Sequence, residues 1–353
     1  MECVRVLLLT PQMGGGGAQQ VMALLARKLS RERFEVHLGL VRSADPGPNA
    51  APSGVTIHAL GARRARAAAL PLMRLVWHLR PDVILSGAPE ISFLVLFLRP
   101  FLPRATRILV RQNSTVSNAL ANGGVPRYTR LLYRMLYRRA HCVICQSAAM
   151  AEDLQHEIGI SGEKIAVLPN PVDIEGILAA RNAPAAWSGE GPHLLAVGRL
   201  APEKGFDLLI EALVEVRKRF PSADLTIAGS GQEKARLDAL LQESRLSHAV
   251  HIEESLDTPY ALFPGATLFA LSSRYEGMPN ALLEAAAAGL PIVATPASGG
   301  VVGLLHEREG AWLATEISVT ALAEALVLAL EGISPGQRFR HGFFPSKGGR
   351  ALP

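Results

Sequence analysis

The sequence predicts an α/β protein of two doubly wound parallel-sheet domains facing a cleft. Three observations predict it. Short apolar, β-branched runs alternate with longer amphipathic ones along nearly the whole chain, a pattern that builds a parallel sheet covered by helices. The alternation breaks once, at the Pro-, Gly-, Ala- and Ser-rich segment 181–192, and then restarts. The chain is 353 residues long, more than one ordinary core accommodates. The domains are therefore placed at 1–183 and 184–331, with an irregular tail at 332–353.

In order, VRVLLLT (4–10) reads as a strand, GGGG (14–17) as a loop and AQQVMALLARKL (18–29) as a helix. Strands follow at 34–41, 82–87, 107–112, 142–147 and 165–173, with helices between them. In the second half, HLLAVG (193–198) is a strand and GFDLLIEALVEVRKRF (205–220) a helix; DLTIAG (224–229) is a strand and QEKARLDALLQESRL (232–246) a helix. Strands at 251–254, 267–273, 291–296 and 310–314 and helices at 280–289 and 318–331 complete it. In such sheets ligands bind beyond the carboxyl ends of the strands.

Composition narrows the class. Hydrophobic residues make up 49% and charged residues 19%, the balance of a folded chain rather than a disordered one. Of the three cysteines, Cys142 and Cys145 form CVIC inside a strand, where positions three apart point to opposite faces; neither a zinc pair nor a redox pair is expected. No apolar run suits a secretory signal, and ISFLVLFL (91–98) is too short to cross a bilayer. The expected location is the cytoplasm, peripheral to the inner face of the cell membrane. Residues 1–185 carry 22 Lys and Arg against 12 Asp and Glu, and the rest carry 14 against 19. The basic half suits an anionic membrane or a phosphorylated substrate. VPRYTRLLYRMLYRRAH (125–141) sharpens this: Arg127, Arg130, Arg134 and Arg138 fall on one helical stripe and Leu131, Leu132, Met135 and Leu136 on another, as in a helix lying on an anionic membrane surface.

Two stretches carry chemistry. GRLAPEKGFDLLIEAL (198–213) runs from a strand into a helix, and Lys204 stands just before that helix, where a cation is unfavourable. With Arg199 in the same loop, the arrangement makes sense if an anion such as a diphosphate binds there; the alternative is a solvated loop with Lys204 paired to Glu203 or Asp207. In EGMPNALLEAAAAGLPIVAT (276–295), Pro279 fits the first helical position. The amides of Gly277, Met278 and Asn280 suit phosphate or sugar hydroxyls, and Glu276 and Glu284 are acceptors for paired hydroxyls.

GGGGAQQ, VLPNPVD, VGRLAPEKGFDLLIEAL, EGMPNALLEAAAAGLPIVAT and the ASGG loop occur in the order found in family 4 retaining glycosyltransferases, which the chain resembles from about residue 4 to 331. The resemblance implies two Rossmann-like domains in the GT-B fold: an N-terminal acceptor-binding domain and a C-terminal nucleotide-sugar-binding domain. It implies that Arg199 and Lys204 hold the donor diphosphate, that Glu276 contacts the transferred sugar and Glu284 the ribose. Catalytic roles then fall to Glu276, Lys204 and Arg199, and donor binding to Gly277, Met278, Asn280 and Glu284. Gly15 and Gly16 are expected to face the donor diphosphate and the acceptor across the cleft, and Gln19 is assigned with them to the acceptor or cleft. Where many members carry a histidine after the strand at 107–112, this chain has Arg111, Gln112 and Asn113, so Arg111 and Asn113 are assigned to the acceptor or cleft.

The activity implied is transfer of a hexose or N-acetylhexosamine from a nucleotide diphosphate sugar, with a UDP-sugar favoured. The acceptor implied is a glycan or polyprenyl-diphosphate-linked saccharide in surface polysaccharide or glycolipid synthesis. No D-x-D pair occurs, so neither a metal nor another cofactor is expected; nor is nucleic acid a partner. The alternative is a non-catalytic nucleotide-sugar-binding or assembly protein. A dinucleotide oxidoreductase is disfavoured because GGGGAQQ does not complete G-x-G-x-x-G.

Overall fold

The computed structural model describes residues 3–13, 16–42, 53–122, 128–181, 187, 189–254 and 258–333. The chain divides into two compact units, Met1–Pro171 and Val172–Pro353. The tail expected to be irregular lies outside the described residues from 334 onward.

In the first unit, strands β1 (Val4–Thr10), β2 (Phe34–Leu40), β3 (Val55–Ala59), β4 (Val83–Ser86), β5 (Arg107–Arg111), β6 (Cys142–Cys145) and β7 (Ile165–Val167) form a wholly parallel sheet in the order β3-β2-β1-β4-β5-β6-β7. The order reverses between β1 and β4. The helices are α1 (Gly17–Lys28), α2 (Ala69–Leu79), α3 (Pro89–Leu98), α4 (Val116–Asn122), α5 (Tyr128–Tyr137) and α6 (Ala148–Ile158). Strand alternation sorts the core. Leu7 and Leu9 of β1 face the cluster filled by Leu72, Val76, Val95, Tyr137 and Leu154 from α2, α3, α5 and α6. Val6 and Leu8 face Met22 and Ala26 of α1. Ser147 caps α6 by accepting from the Met150 amide, and Gly159 ends it at φ +66°.

The sequence reading has no counterpart for β3, because VTIHA has no fully buried residue and so no apolar run to mark it. Cys145 is buried and Cys142 partly so, with both thiols free; burial pushes the Cys145 thiol up to about 12. One residue of the expected apolar face of α5 is corrected. Tyr133, Leu136 and Tyr137 pack into the core, with Tyr133 edge-on to Phe93 of α3 and Tyr137 tilted against it. Leu131, Leu132 and Met135 of that face are exposed, while Leu136 is buried. The larger tyrosines win the buried side, and Arg130 turns to Glu157 of α6 at 3.0 Å. Arg127 lies outside the described residues.

The second unit opens with α7 (Ile174–Ala180) and continues with β8 (His193–Val197), α8 (Phe206–Arg219), β9 (Asp224–Ala228), α9 (Lys234–Glu243), β10 (Val250–Glu253), β11 (Leu268–Leu271), α10 (Asn280–Ala288), β12 (Ile292–Ala294), α11 (Gly299–Leu305), β13 (Ala311–Leu313) and α12 (Val319–Gly332). Its parallel sheet runs β10-β9-β8-β11-β12-β13, reversing between β8 and β11. The reading of the sequence assigns α7 to the first domain; Ile177 instead buries itself among Leu262, Phe263 and Leu282 of the second. Composition marks the loop at 181–192, but a helix belongs to whichever core takes its apolar residue.

Candidate active site

Ligands of doubly wound sheets bind where the strand order reverses, because the chain leaves the two central strands in opposite directions and opens a crevice there. In the second unit those strands are β8 and β11. Lys204 lies in the loop after β8 and Glu276 in the loop after β11, the two stretches that the sequence singles out.

Close backbone approach brings the loops together. Pro202–Lys204 form a 3-10 turn that ends at Gly205 with φ +60°. A Cβ at Gly205 would fall 2.2 Å from the Ser272 carbonyl oxygen, so only glycine fits. Ser272 Oγ donates to the Lys204 carbonyl at 2.9 Å, and the Arg274 amide donates to the Glu203 carbonyl at 2.8 Å. The side chains then meet: Lys204 Nζ donates to Glu276 Oε1 at 2.5 Å, and Ser273 Oγ donates to the same oxygen at 2.7 Å. The Glu276 amide donates to the Ala297 carbonyl at 3.1 Å, fixing the turn that carries it.

Lys204 thus pairs with neither Glu203 nor Asp207. Glu203 accepts from Arg199 Nη2 at 2.8 Å, and the Arg199 side chain stays 63% exposed. Asp207 is buried and accepts two bonds from Arg274, at 2.8 and 2.9 Å, and one from Arg236 at 3.0 Å. Burial alone would raise the Asp207 carboxyl; the hydrogen bonds and charge of Arg274, with Arg236, outweigh it and hold the group below the usual range.

Helix α10 begins at Asn280, with Pro279 at the cap in the β region, one residue later than the sequence suggests. Ser298 Oγ donates to the Gly277 carbonyl at 3.1 Å. The Gly277 amide donates to no group among the described residues. Glu284, one turn into α10, accepts from the Tyr260 hydroxyl at 3.3 Å. Burial lifts its carboxyl to about 7; the Tyr260 bond opposes the rise and the Asp173 charge adds to it. The arrangement offers a cation and a helix N-terminus to an anion, with carboxylates on either side for hydroxyl groups.

In the first unit, Gly15 lies outside the described residues. Gly16 caps α1, and Gln19 Oε1 accepts from the Gly16 amide at 3.1 Å, so Gln19 serves the helix start. Arg111 is 4% exposed, and burial lowers it to about 10. Its guanidinium donates to Asn113 Oδ1 at 2.6 Å and to Asn170 Oδ1. Asn113 Nδ2 donates to the Gly87 carbonyl at 2.7 Å. Arg111 therefore fastens the loops that follow β4, β5 and β7. Asp207, Arg274, Ser273 and Tyr260 are missing from the sequence-based assignment. Arg274 stands two residues before Glu276 and Asp207 three after Lys204, so proximity was a signal, but their pairing spans 67 positions.

A family model described as Glycosyl transferases group 1 matches residues 182–340, and one described as Glycosyltransferase Family 4 matches residues 15–175. The chain belongs to this glycosyltransferase family. Among curated relatives of this glycosyltransferase is the N-acetylgalactosamine-N,N'-diacetylbacillosaminyl-diphospho-undecaprenol 4-alpha-N-acetylgalactosaminyltransferase of Campylobacter jejuni, 28% identical over 336 residues and covering 90% of this chain and 88% of the relative. A glycogen synthase of Mycobacterium tuberculosis is 29% identical over 263 residues, covering 73% of this chain and 62% of that one. Among solved structures, sucrose-phosphate synthase from Thermosynechococcus elongatus aligns with a TM-score of 0.77 at 18% identity, covering 93% of this chain and 90% of that one. Anabaena Alr3699/HepE in complex with UDP and glucose aligns at 0.74 and 17% identity, with the same coverage. These likenesses show the two-domain α/β fold. The protein is a glycosyltransferase acting in glycan or glycolipid synthesis.

Proposed function

We propose that this glycosyltransferase transfers a hexose or N-acetylhexosamine, with retention, from a nucleotide diphosphate sugar to a saccharide or polyprenyl-diphosphate-linked acceptor. One observation carries the reading: Lys204 and Glu276, from the two loops at the strand-order reversal, meet at 2.5 Å. A cation for the diphosphate and an acceptor for sugar hydroxyls stand side by side, as cleavage of a sugar–phosphate bond requires. Breaking that bond leaves charge on the departing nucleoside diphosphate; Lys204, Arg199 and the Gly277 amide are the groups that stabilise it, with no metal in the scheme. Glu276 holds the transferred sugar, Glu284 the ribose. A UDP-sugar is the favoured donor, in keeping with the UDP bound by Anabaena Alr3699/HepE. The lipid-linked acceptor follows the Campylobacter jejuni relative, whose name includes a diphospho-undecaprenol saccharide.

Such an acceptor lies at a membrane, and we place the enzyme on the anionic cytoplasmic surface. The neighbouring helices α2, α3 and α5 lie on one face of the first sheet and expose Trp77, Phe97, Leu131 and Met135. Arg74, Arg134 and Arg138 on α2 and at α5 form no ion pair among the described residues. No described helix is long and apolar enough to cross a membrane. Apolar side chains interleaved with unpaired arginines suit an interface of anionic headgroups. A screen of UDP- and GDP-sugars for nucleotide release, with membrane extract as acceptor source, tests the activity. Release that is unchanged by alanine at both Lys204 and Glu276 would overturn the site.

A further inference from the structure

We propose that Arg274 is a positioning residue for catalysis: by gripping Asp207 and the Pro202 carbonyl at once, it sets the spacing between Lys204 and Glu276. The proposal rests on the donor-site reading above and goes beyond it, since neither Arg274 nor Asp207 touches the donor in that reading.

The geometry is that of a clamp. Arg274 belongs to the loop that carries Glu276, two residues away. Its Nη1 donates to the Pro202 carbonyl at 2.9 Å and to Asp207 Oδ1 at 2.8 Å, and its Nη2 donates to Asp207 Oδ2 at 2.9 Å. Its own amide donates to the Glu203 carbonyl. Pro202 and Glu203 precede Lys204 in one 3-10 turn, and Asp207 sits in the first turn of α8 just after it. A single side chain thus touches the Lys204 segment on both sides. The planar guanidinium fixes direction as well as distance in a way that an ammonium cannot. Asp207 is anchored in turn by burial, by the positive end of α8, and by Arg236 from α9. Lys204 and Glu276 have flexible side chains, so their common position depends on the backbones beneath them. Misplacement of a catalytic group by about 1 Å costs on the order of a hundredfold in rate.

Arg236 supplies the internal control. It binds the same carboxylate but bonds to neither loop; its other partner is Glu233. A merely structural role for the Asp207 cluster predicts that Arg236→Ala and Arg274→Ala act alike, in proportion to lost stability. The positioning role separates them.

The experiment compares full-length wild type, Arg274→Ala, Arg274→Lys, Asp207→Asn and Arg236→Ala. Melting temperature, hydrogen exchange by mass spectrometry, and steady-state nucleotide release are measured on each. Exchange in 199–205 and 272–278 is expected to rise at least tenfold in Arg274→Ala and Asp207→Asn, and not in Arg236→Ala. For donor turnover, kcat is expected to fall about 10- to 100-fold in Arg274→Ala with KM changed less than threefold, to recover in part in Arg274→Lys, and to stay within twofold in Arg236→Ala. Unchanged exchange in both segments of Arg274→Ala overturns the proposal without reference to turnover. So does a kcat loss in Arg236→Ala that matches its loss of stability and that of Arg274→Ala. Failure of the donor-site reading looks different: Lys204→Ala and Glu276→Ala leave release intact while the exchange response to Arg274→Ala persists.

Discussion

Lys204 Nζ and Glu276 Oε1 lie 2.5 Å apart although 72 positions separate them in the chain. Both side chains are largely buried, at 19% and 12% exposure. Lys204→Met leaves the largely buried Glu276 carboxylate without its cation, and Glu276→Gln leaves the Lys204 charge uncompensated, whereas the double variant leaves no lone charge. Each single change is expected to cost about 1–3 kcal/mol of stability, and the double change less than their sum. Urea denaturation of the four proteins measures the cycle. Additive losses would show that the two groups do not interact.

Glu284 carries a pH signature. Burial holds its folded-state value at about 7, above the ordinary glutamate range. A raised value means that its contribution to stability is fully present below the unfolded value and is lost as pH rises through about 7. Wild type should therefore lose stability between pH 5 and pH 8 relative to Glu284→Gln, read by denaturant melts at each pH. Tyr260→Phe removes the one bond that lowers the value, and should move the midpoint upward.

Gly205 and Gly303 make opposite predictions. A methyl group at Gly205 meets the Ser272 carbonyl and must adopt φ +60°; Gly205→Ala is expected to destabilise by about 1–3 kcal/mol. Gly303 lies inside α11 with nothing within 4 Å of an added Cβ. There Gly303→Ala should stabilise by about 0.5–1 kcal/mol. Thermal denaturation distinguishes the two signs.

The exposed face of α2, α3 and α5 predicts binding to anionic vesicles. Co-sedimentation with vesicles of phosphatidylglycerol and phosphatidylcholine should fall about tenfold or more in Arg134→Gln/Arg138→Gln, and should fall again in Leu131→Ser/Met135→Ser. Pure phosphatidylcholine vesicles should bind all forms weakly. Equal binding to both vesicle types would remove the electrostatic part of the account.

How much of this was legible in the sequence differs from residue to residue. Strands such as VRVLLLT and DLTIA are apolar throughout because parallel sheets are covered on both faces, and that pattern places them directly. β3 is an edge strand with half-wet side chains and leaves no such trace. Lys204 and Glu276 could be singled out from helix-terminus electrostatics and from the family resemblance, but their contact could not, because it is made by loops from separate strands. The Arg274–Asp207 clamp was invisible for the same reason. On α5, periodicity found an amphipathic helix with Leu131, Leu132 and Met135 on its exposed apolar face, but not its buried side; a stripe of Tyr133 and Tyr137 reads as polar until Phe93 is seen against it. Arg111 reads as an acceptor or cleft residue, and its role as a fastening to Asn113 and Asn170 shows only in the structure.

The Lys204–Glu276 pair is the proposed donor-cleaving site of a nucleotide-sugar-dependent glycosyltransferase. The direct measurement is nucleotide release by purified full-length protein across a panel of UDP- and GDP-sugars with membrane extract as acceptor source. It is made in parallel on Lys204→Ala, Glu276→Ala and the α11 variant Gly303→Ala, whose added methyl meets nothing within 4 Å. Release is expected with one donor class, with a loss of about 100-fold or more in each of the first two variants and wild-type rates in the third. Equal release from all four proteins would contradict it.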